Sequence, residues 1–132
     1  MIVDASALLA VALGEEDWDV FADALLDAGG SRISAINWLE AAIQVDKRDD
    51  PVVSERFDDL TREAGIEIAP VTLEQAQAAR QAWRSFGRGR HPARLNLADC
   101  FAYALAKTEG EGLLFKGDDF AQTDIAPAIK GR

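Results

Sequence analysis

Short apolar segments alternate with longer helical segments along this chain of 132 residues, and this alternation constrains the fold most strongly. The strand-like segments are residues 1–3, 32–33, 66–71 and 113–115, and residues 125–126 are predicted to form a last edge strand. Helices are predicted near Trp18, at Pro51, and after Asp4, Ser34, Thr72 and Asn96. This order predicts one α/β domain over residues 1–132, with three α/β/α layers and a largely parallel central sheet.

Acidic residues follow two of the predicted strands. Asp4 comes directly after the first strand, and Asp118 and Asp119 follow the strand at residues 113–115. In open parallel sheets, ligands bind beyond the carboxyl ends of the strands. The sequence therefore predicts that acids far apart in the chain converge on one edge of the sheet.

These acids also have purely structural interpretations. Asp4 suits the N-cap of a helix, and Asp99, three residues after Asn96, suits a first helical turn, where the helix dipole favours an acid. Asp118 and Asp119 suit a turn. The pattern leaves both interpretations open for each acid, but four such carboxylates together favour a shared site.

Glu40 is the most informative acid. It lies within the helical arc formed by Ile36, Leu39 and Ile43. A carboxylate on an apolar helix face is costly unless it is paired or binds a metal. The alternative is a position at the border of the apolar face, where the side chain reaches solvent or an arginine.

Clustered carboxylates suit a hard cation such as Mg²⁺, with Mn²⁺ as a substitute, and such ions can activate a water that attacks a phosphodiester. Zinc is not expected, because the chain has one His and one Cys, and Cys100 is predicted to be a small core residue. The phosphate-binding GxxxxGK[ST] loop, the GxGxxG motif and the GxSxG elbow are all absent from the sequence.

The net charge of −9 conceals one basic segment. Residues 75–98 contain no acid, and they include His91 and five arginines, at positions 80, 84, 88, 90 and 94. Arg88, Arg90 and Arg94 are the predicted contacts to RNA phosphates, although a solvated loop is an alternative interpretation. The three tryptophans have apolar neighbours at helical spacing, which favours the core or an interface over base stacking.

The composition predicts a cytoplasmic protein. No apolar run approaches the length of about 20 residues that a membrane span needs. The segment that begins at Met1 lacks the basic region of a secretory signal. The single cysteine leaves no internal disulfide that would indicate an oxidising compartment.

Four stretches of the chain resemble the PIN-domain proteins of the VapC toxin type. They are residues 1–7 (MIVDASA), 34–42 (SAINWLEAA), 87–107 (GRGRHPARLNLADCFAYALAK) and 113–120 (LLFKGDDF). The resemblance runs nearly end to end, in the family's order and spacing. It implies a metal-dependent endoribonuclease that is the toxin of a toxin–antitoxin pair, forms a homodimer and binds a small antitoxin.

The resemblance also implies the site residues. Asp4, Glu40 and Asp99 match the family's acids, and Ser6 and Asn96 match positions beside the metal. Many relatives carry Thr-x-Asp-x-Asp-Phe after the last strand, whereas this chain has FKGDDF at residues 115–120. By register Asp119 is the fourth acid, and Asp118 is the alternative.

The expected mechanism follows from these matches. Asp4 and Asp99 are expected to hold Mg²⁺ directly, while Glu40 and the fourth acid hold a second ion or orient waters. Single-stranded or loop RNA is the expected substrate, because its backbone and bases are accessible. The alternative function is a non-catalytic binding or regulatory domain with an acidic pocket.

Overall fold

A computed structural model, which describes residues 1–129, contains a four-stranded sheet. The strands are β1 (Ile2–Val3), β2 (Ser31–Ser34), β3 (Ile66–Ala69) and β4 (Leu113–Leu114). They lie in the order β3-β2-β1-β4, and every neighbouring pair is parallel. The predicted parallel α/β architecture is confirmed.

Six α-helices connect and cover these strands. They are α1 (Ala5–Ala12), α2 (Trp18–Asp27), α3 (Ala35–Asp46), α4 (Pro51–Glu63), α5 (Leu73–Phe86) and α6 (Leu97–Glu109), and a 3₁₀ turn follows at Phe120–Gln122. Side-chain caps begin several of them, because the first N–H groups of a helix have no partner within it. Thr72 accepts a hydrogen bond from the Gln75 N–H at 3.1 Å, which starts α5. Within residues 1–129, no helix has the length and apolar character needed to cross a bilayer.

The sheet is the middle of three layers. Successive residues of a strand point to opposite faces, so Ile2 and Leu113 pack with α5 and α6, whereas Val3 and Leu114 pack with α1, α2 and α4. Helix α3 lies mainly on the second face but also contacts α6. Both faces of the short central strands are therefore buried.

Two local predictions are wrong. Residues 125–126 do not form a strand: the chain makes one isolated parallel bridge, between Leu113 and Pro127. The Leu113 N–H donates to the Ala126 carbonyl and the Ala128 N–H donates to the Leu113 carbonyl, both at 2.9 Å, so the pairing with β4 is limited to this one position. In α3 the buried face carries Asn37, Ala41 and Val45, while Leu39 and Ile43 are 51% and 46% exposed. The arc used to argue for Glu40 is thus not the core face of that helix.

Candidate active site

Asp4 lies where β1 ends and α1 begins. Its N–H donates to the Leu114 carbonyl at 2.9 Å, which ties it to β4. Its Oδ2 accepts hydrogen bonds from the Ser6 N–H at 3.0 Å and the Ser6 hydroxyl at 2.6 Å. Asp4 is therefore a helix cap, yet its Oδ1 is buried with no hydrogen-bond partner in the described structure. A buried polar atom without a partner is costly, so this oxygen can accept a further ligand.

Ser6 connects Asp4 to the loop after β4. Its hydroxyl oxygen accepts a hydrogen bond from the Lys116 N–H at 2.9 Å while the hydroxyl donates to Asp4. The Lys116 ammonium in turn pairs with Glu15 at 2.6 Å and Asp17 at 2.9 Å. Ser6 thereby fixes the Asp4 carboxylate relative to the segment that carries Asp118 and Asp119.

Asp99 begins α6 through a reciprocal capping box. The Asp99 N–H donates to Asn96 Oδ1 at 2.8 Å, and the Asn96 N–H donates to Asp99 Oδ2 at 3.0 Å. Because α6 leads back into parallel strand β4, its N-terminus lies at the same edge as the carboxyl ends of the strands. Asn96 fixes one oxygen of Asp99, so capping and a role in the acidic site are compatible.

Glu40 projects from the second turn of α3, where it is partly buried. One turn earlier, Asn37 is fully buried, and its Nδ2 donates to the Ala98 carbonyl at 2.9 Å. This bond joins α3 to the first turn of α6 and thus fixes Glu40 relative to Asp99. Sequence analysis missed Asn37; the available signal was an amide three residues before Glu40 on the same predicted helix.

The pKa shifts of these carboxylates have shared causes. Burial raises the pKa of Asp4, with a smaller contribution from the charge of Asp119. Burial raises the pKa of Glu40 to about 7, and the charges of Asp4 and Asp99 add to the shift. Burial raises the pKa of Asp99 to about 6; the charges of Asp4 and Asp119 raise it further, while Arg88 opposes them. Four acids from four chain segments therefore share one electrostatic environment.

Asp118 and Asp119 are placed differently. The charge of Asp119 acts on both Asp4 and Asp99. Both residues are exposed, and Asp118 borders a separate pocket with Asp17, Phe21 and Lys116. Asp119 is therefore the one of the two whose charge acts on Asp4 and Asp99.

The donor set fits a hard cation. Within residues 1–129, no three His, Cys, Asp or Glu side chains approach closely enough to form a ready-made metal cluster. The four acids nevertheless supply only oxygen ligands, which Mg²⁺ prefers, and Asp4 Oδ1 is a buried oxygen with no hydrogen-bond partner among the described residues. Cys100 is buried in the core, and burial raises the pKa of its thiol to about 11, so a thiolate ligand is not expected there.

The basic segment lies beside this acidic edge. Residues 86–95 are held by the Arg88 N–H to the Leu95 carbonyl and the Leu95 N–H to the Phe86 carbonyl, both at 3.0 Å. Arg88, Arg90 and Arg94 are exposed, and none of the five arginines of residues 75–98 forms an ion pair within the described chain. Exposed guanidinium groups without an ion pair suit the phosphate groups of a polyanion.

Sequence comparison finds close relatives over the whole chain. Residues 1–126 match the family described as PIN domain. Ribonuclease VapC42 of Mycobacterium tuberculosis is 48% identical over 129 residues, which cover 97% of this chain and 98% of that protein. Ribonuclease VapC28 of the same organism is 47% identical over 133 residues, which cover all of both chains. Ribonuclease VapC of Mycolicibacterium smegmatis is 40% identical and covers 96% of this chain and 98% of its own.

Two solved structures share the fold. Mycobacterium tuberculosis VapC20, described as a sarcin-ricin loop cleaving toxin, has a TM-score of 0.72 at 17% identity and covers 95% of each chain. A chain of a toxin–antitoxin complex from Klebsiella pneumoniae has a TM-score of 0.68 at 18% identity and covers 93% of this chain and 92% of its own. At these identities the likeness concerns the fold alone, and it confirms the predicted PIN-like architecture.

Proposed function

Since this chain belongs to the PIN-domain family of VapC ribonucleases, we propose that it is a Mg²⁺-dependent endoribonuclease and the toxin of a toxin–antitoxin pair. The observation that carries the proposal is the acidic edge of the sheet, where the charges of Asp4 and Asp99 act on Glu40 and the charge of Asp119 acts on Asp4 and Asp99. Such a concentration of negative charge is unfavourable unless a cation offsets it.

Each residue of the acidic edge has a proposed role. Asp4 and Asp99 would hold the cation, and Glu40 and Asp119 would bind a second ion or orient waters. A bound divalent ion supplies an activated water and offsets the charge that develops on the phosphate. Ser6 and Asn96 orient the Asp4 and Asp99 carboxylates through their hydrogen bonds. Glu40, with a pKa of about 7, can take up or release a proton near neutral pH when no cation is bound.

Ser6→Ala should lower the cleavage rate by roughly 10- to 100-fold, because the Asp4 carboxylate and the Lys116 N–H both lose their hydroxyl partner. The free energy of unfolding should fall by only about 1–2 kcal/mol. Initial rates on labelled RNA and urea unfolding measure the two effects. Ser54→Ala is the matched control, since it removes a 2.8 Å bond from a serine to Asp46 away from the acidic edge. Equal rates in both variants would show that Ser6 does not orient Asp4.

Replacing Arg88, Arg90 and Arg94 together by Gln should weaken RNA binding regardless of sequence. The slope of log affinity against log salt should fall by about 2, because each phosphate contact on a single strand contributes about 0.7. Fluorescence anisotropy in chelator, across a salt series, measures this without cleavage. The control replaces Arg48, Arg56 and Arg62, three exposed arginines outside the basic segment, and so matches the charge change. An identical salt slope in the two triple variants would mean that the basic segment is only a solvated loop.

The direct test of the proposed function is RNA cleavage by the purified protein with Mg²⁺, with Mn²⁺ and with chelator. Asp4→Asn keeps a side chain that can cap α1 but removes the buried charge, so it also reveals any contaminating nuclease. We expect cleavage only by the wild type and only with a divalent ion. Binding of the ions or of RNA without cleavage would favour the alternative, a non-catalytic regulatory domain.

We also propose two protein partners. A small cognate antitoxin is expected from membership of the family. A second copy of this chain is expected on α3, where the exposed Leu39 and Ile43 lie with Ile36 and Gln44 around Glu40. Sedimentation velocity of the purified chain, with and without a co-expressed antitoxin, tests both assemblies.

A further inference from the structure

An apolar groove of about 450 Å³ runs between α5 and α6, and the acidic site does not include it. Helix α5 contributes Ala76, Ala79, Arg80 and Trp83, and α6 contributes Leu97, Cys100 and Phe101. Its volume is within the range of about 300–1,000 Å³ in which small organic ligands bind. Its lining is mostly apolar, and the one charged side chain among these residues is the cationic Arg80.

Trp83 is held in a defined position at this groove, although sequence analysis favoured the core or an interface for it. It is 42% exposed. The Arg90 guanidinium lies 4.9 Å from its ring centroid. A Cβ at position 87 would come within 2.4 Å of the Trp83 ring, so only glycine permits the backbone to pass at that distance. An indole fixed by Gly87 and Arg90, and still exposed, is a preorganised stacking surface.

One end of the groove lies at the first turn of α6, which also carries Asp99. Leu97 and Cys100 line the groove and stand within two residues of Asp99 along that helix. An RNA strand with a phosphate at Asp99 would therefore pass this end of α6, within reach of the groove. The surrounding residues 75–98 contain five arginines and no acid, which suits the backbone of the same strand.

We propose that this groove is a nucleobase subsite, in which Trp83 stacks on an unpaired base next to the scissile phosphate of a single-stranded RNA. The inference rests on the proposed function, because it needs RNA at the acidic edge. Stacking on an aromatic side chain tolerates any base, since each has a π face, and Arg80 and Arg90 add cationic contacts. A second copy of this chain is the rival occupant, and it is disfavoured because two copies would bring two arginine-rich segments together.

The test measures binding of a labelled single-stranded oligoribonucleotide in chelator, so that no cleavage occurs. Trp83→Ala should weaken binding by roughly 5- to 100-fold, the range for loss of one stacked base. Trp83→Phe keeps an aromatic ring and should retain most of the affinity, which separates stacking from misfolding. Trp18→Ala is the matched control, because Trp18 is 49% exposed on α2 and lies outside the groove; its affinity should equal that of the wild type.

A second arm removes the base instead of the ring. In the wild type, an abasic residue beside the cleavage position should weaken binding as much as Trp83→Ala does. When the abasic strand is combined with Trp83→Ala, the loss of binding affinity should be no larger than for either change alone, because both changes remove the same contact. Additive losses would overturn the subsite.

The remaining outcomes separate this inference from the proposed function. Wild-type protein that cuts RNA with Mg²⁺, together with a Trp83→Ala variant of unchanged affinity, would overturn the subsite and leave the proposed function standing. Wild-type protein that binds no RNA would overturn both. A change from dimer to monomer on Trp83→Ala, with RNA affinity unchanged, would assign the groove to a second copy.

Discussion

Asp99→Asn should reduce the rate of RNA cleavage by more than about a hundredfold, because the loss of a residue that only supports a metal ligand can already cost that much. The cation-free variant should be as stable as the wild type or more stable. The amide can keep the helix-capping geometry, because Asn accepts the same hydrogen bond from the Asn96 N–H. It removes one negative charge from a group in which Asp4, Asp119 and burial all raise the Asp99 pKa. Loss of activity without loss of stability distinguishes a ligand from a cap.

Melting temperatures with and without millimolar Mg²⁺ complete this experiment. A ligand that binds only the native state raises its stability by mass action, so Mg²⁺ should shift the wild type more than Asp99→Asn. Asp119→Asn should behave like Asp99→Asn, whereas Asp118→Asn removes the same charge from an exposed side chain of the same loop and should keep the wild-type shift. Equal Mg²⁺ shifts in wild type and Asp99→Asn would remove Asp99 from the metal site.

Without a cation, the acidic site should lower the free energy of unfolding by about 3 kcal/mol between pH 5 and pH 8. In the native state the pKa of Glu40 is about 7 and that of Asp99 about 6, above their ordinary values of 4.5 and 3.8. Between those values the native state binds more protons than the unfolded state, so stability decreases as pH rises. The estimate is below the sum of the two shifts because part of each shift lies below pH 5 and because solvent screens both partly exposed carboxyls.

Urea unfolding in chelator at several pH values measures this slope. Glu40→Gln should flatten it and make the protein more stable than the wild type at pH 8. Glu55→Gln, which removes an exposed acid from α4, should keep the wild-type slope. Saturating Mg²⁺ should also reduce the fall, because a cation binds the ionised carboxylates. A wild type that gains stability from pH 5 to pH 8 would contradict the crowding of these acids.

Local signals in the sequence were sufficient to predict the order of strands and helices and the N-termini of several helices. Asp4 and the Asn96–Asp99 pair lie at helix N-termini because a side chain reaches an N–H two or three residues away, whatever the rest of the fold does. The parallel sheet followed from strands that alternate with helices, and its carboxyl edge then located Asp4 and the Asp118–Asp119 pair.

Only the tertiary structure decided how two adjacent acids differ and which face of α3 is buried. The sequence does not distinguish Asp118 from Asp119, whereas in the folded chain the charge of Asp119 acts on Asp4 and Asp99 and Asp118 borders a separate pocket. The sequence favoured the apolar face of α3 for the core, yet the small residue Ala41 and the buried Asn37 face inward, because α3 must approach α6 closely and bind the Ala98 carbonyl. Likewise Trp83 is exposed because Ala79 and Ala82 turn to the core and the ring lies over Gly87. These outcomes depend on contacts between segments that are distant in sequence. Helical periodicity indicates that one face of a helix is apolar, but it does not indicate which element packs against that face.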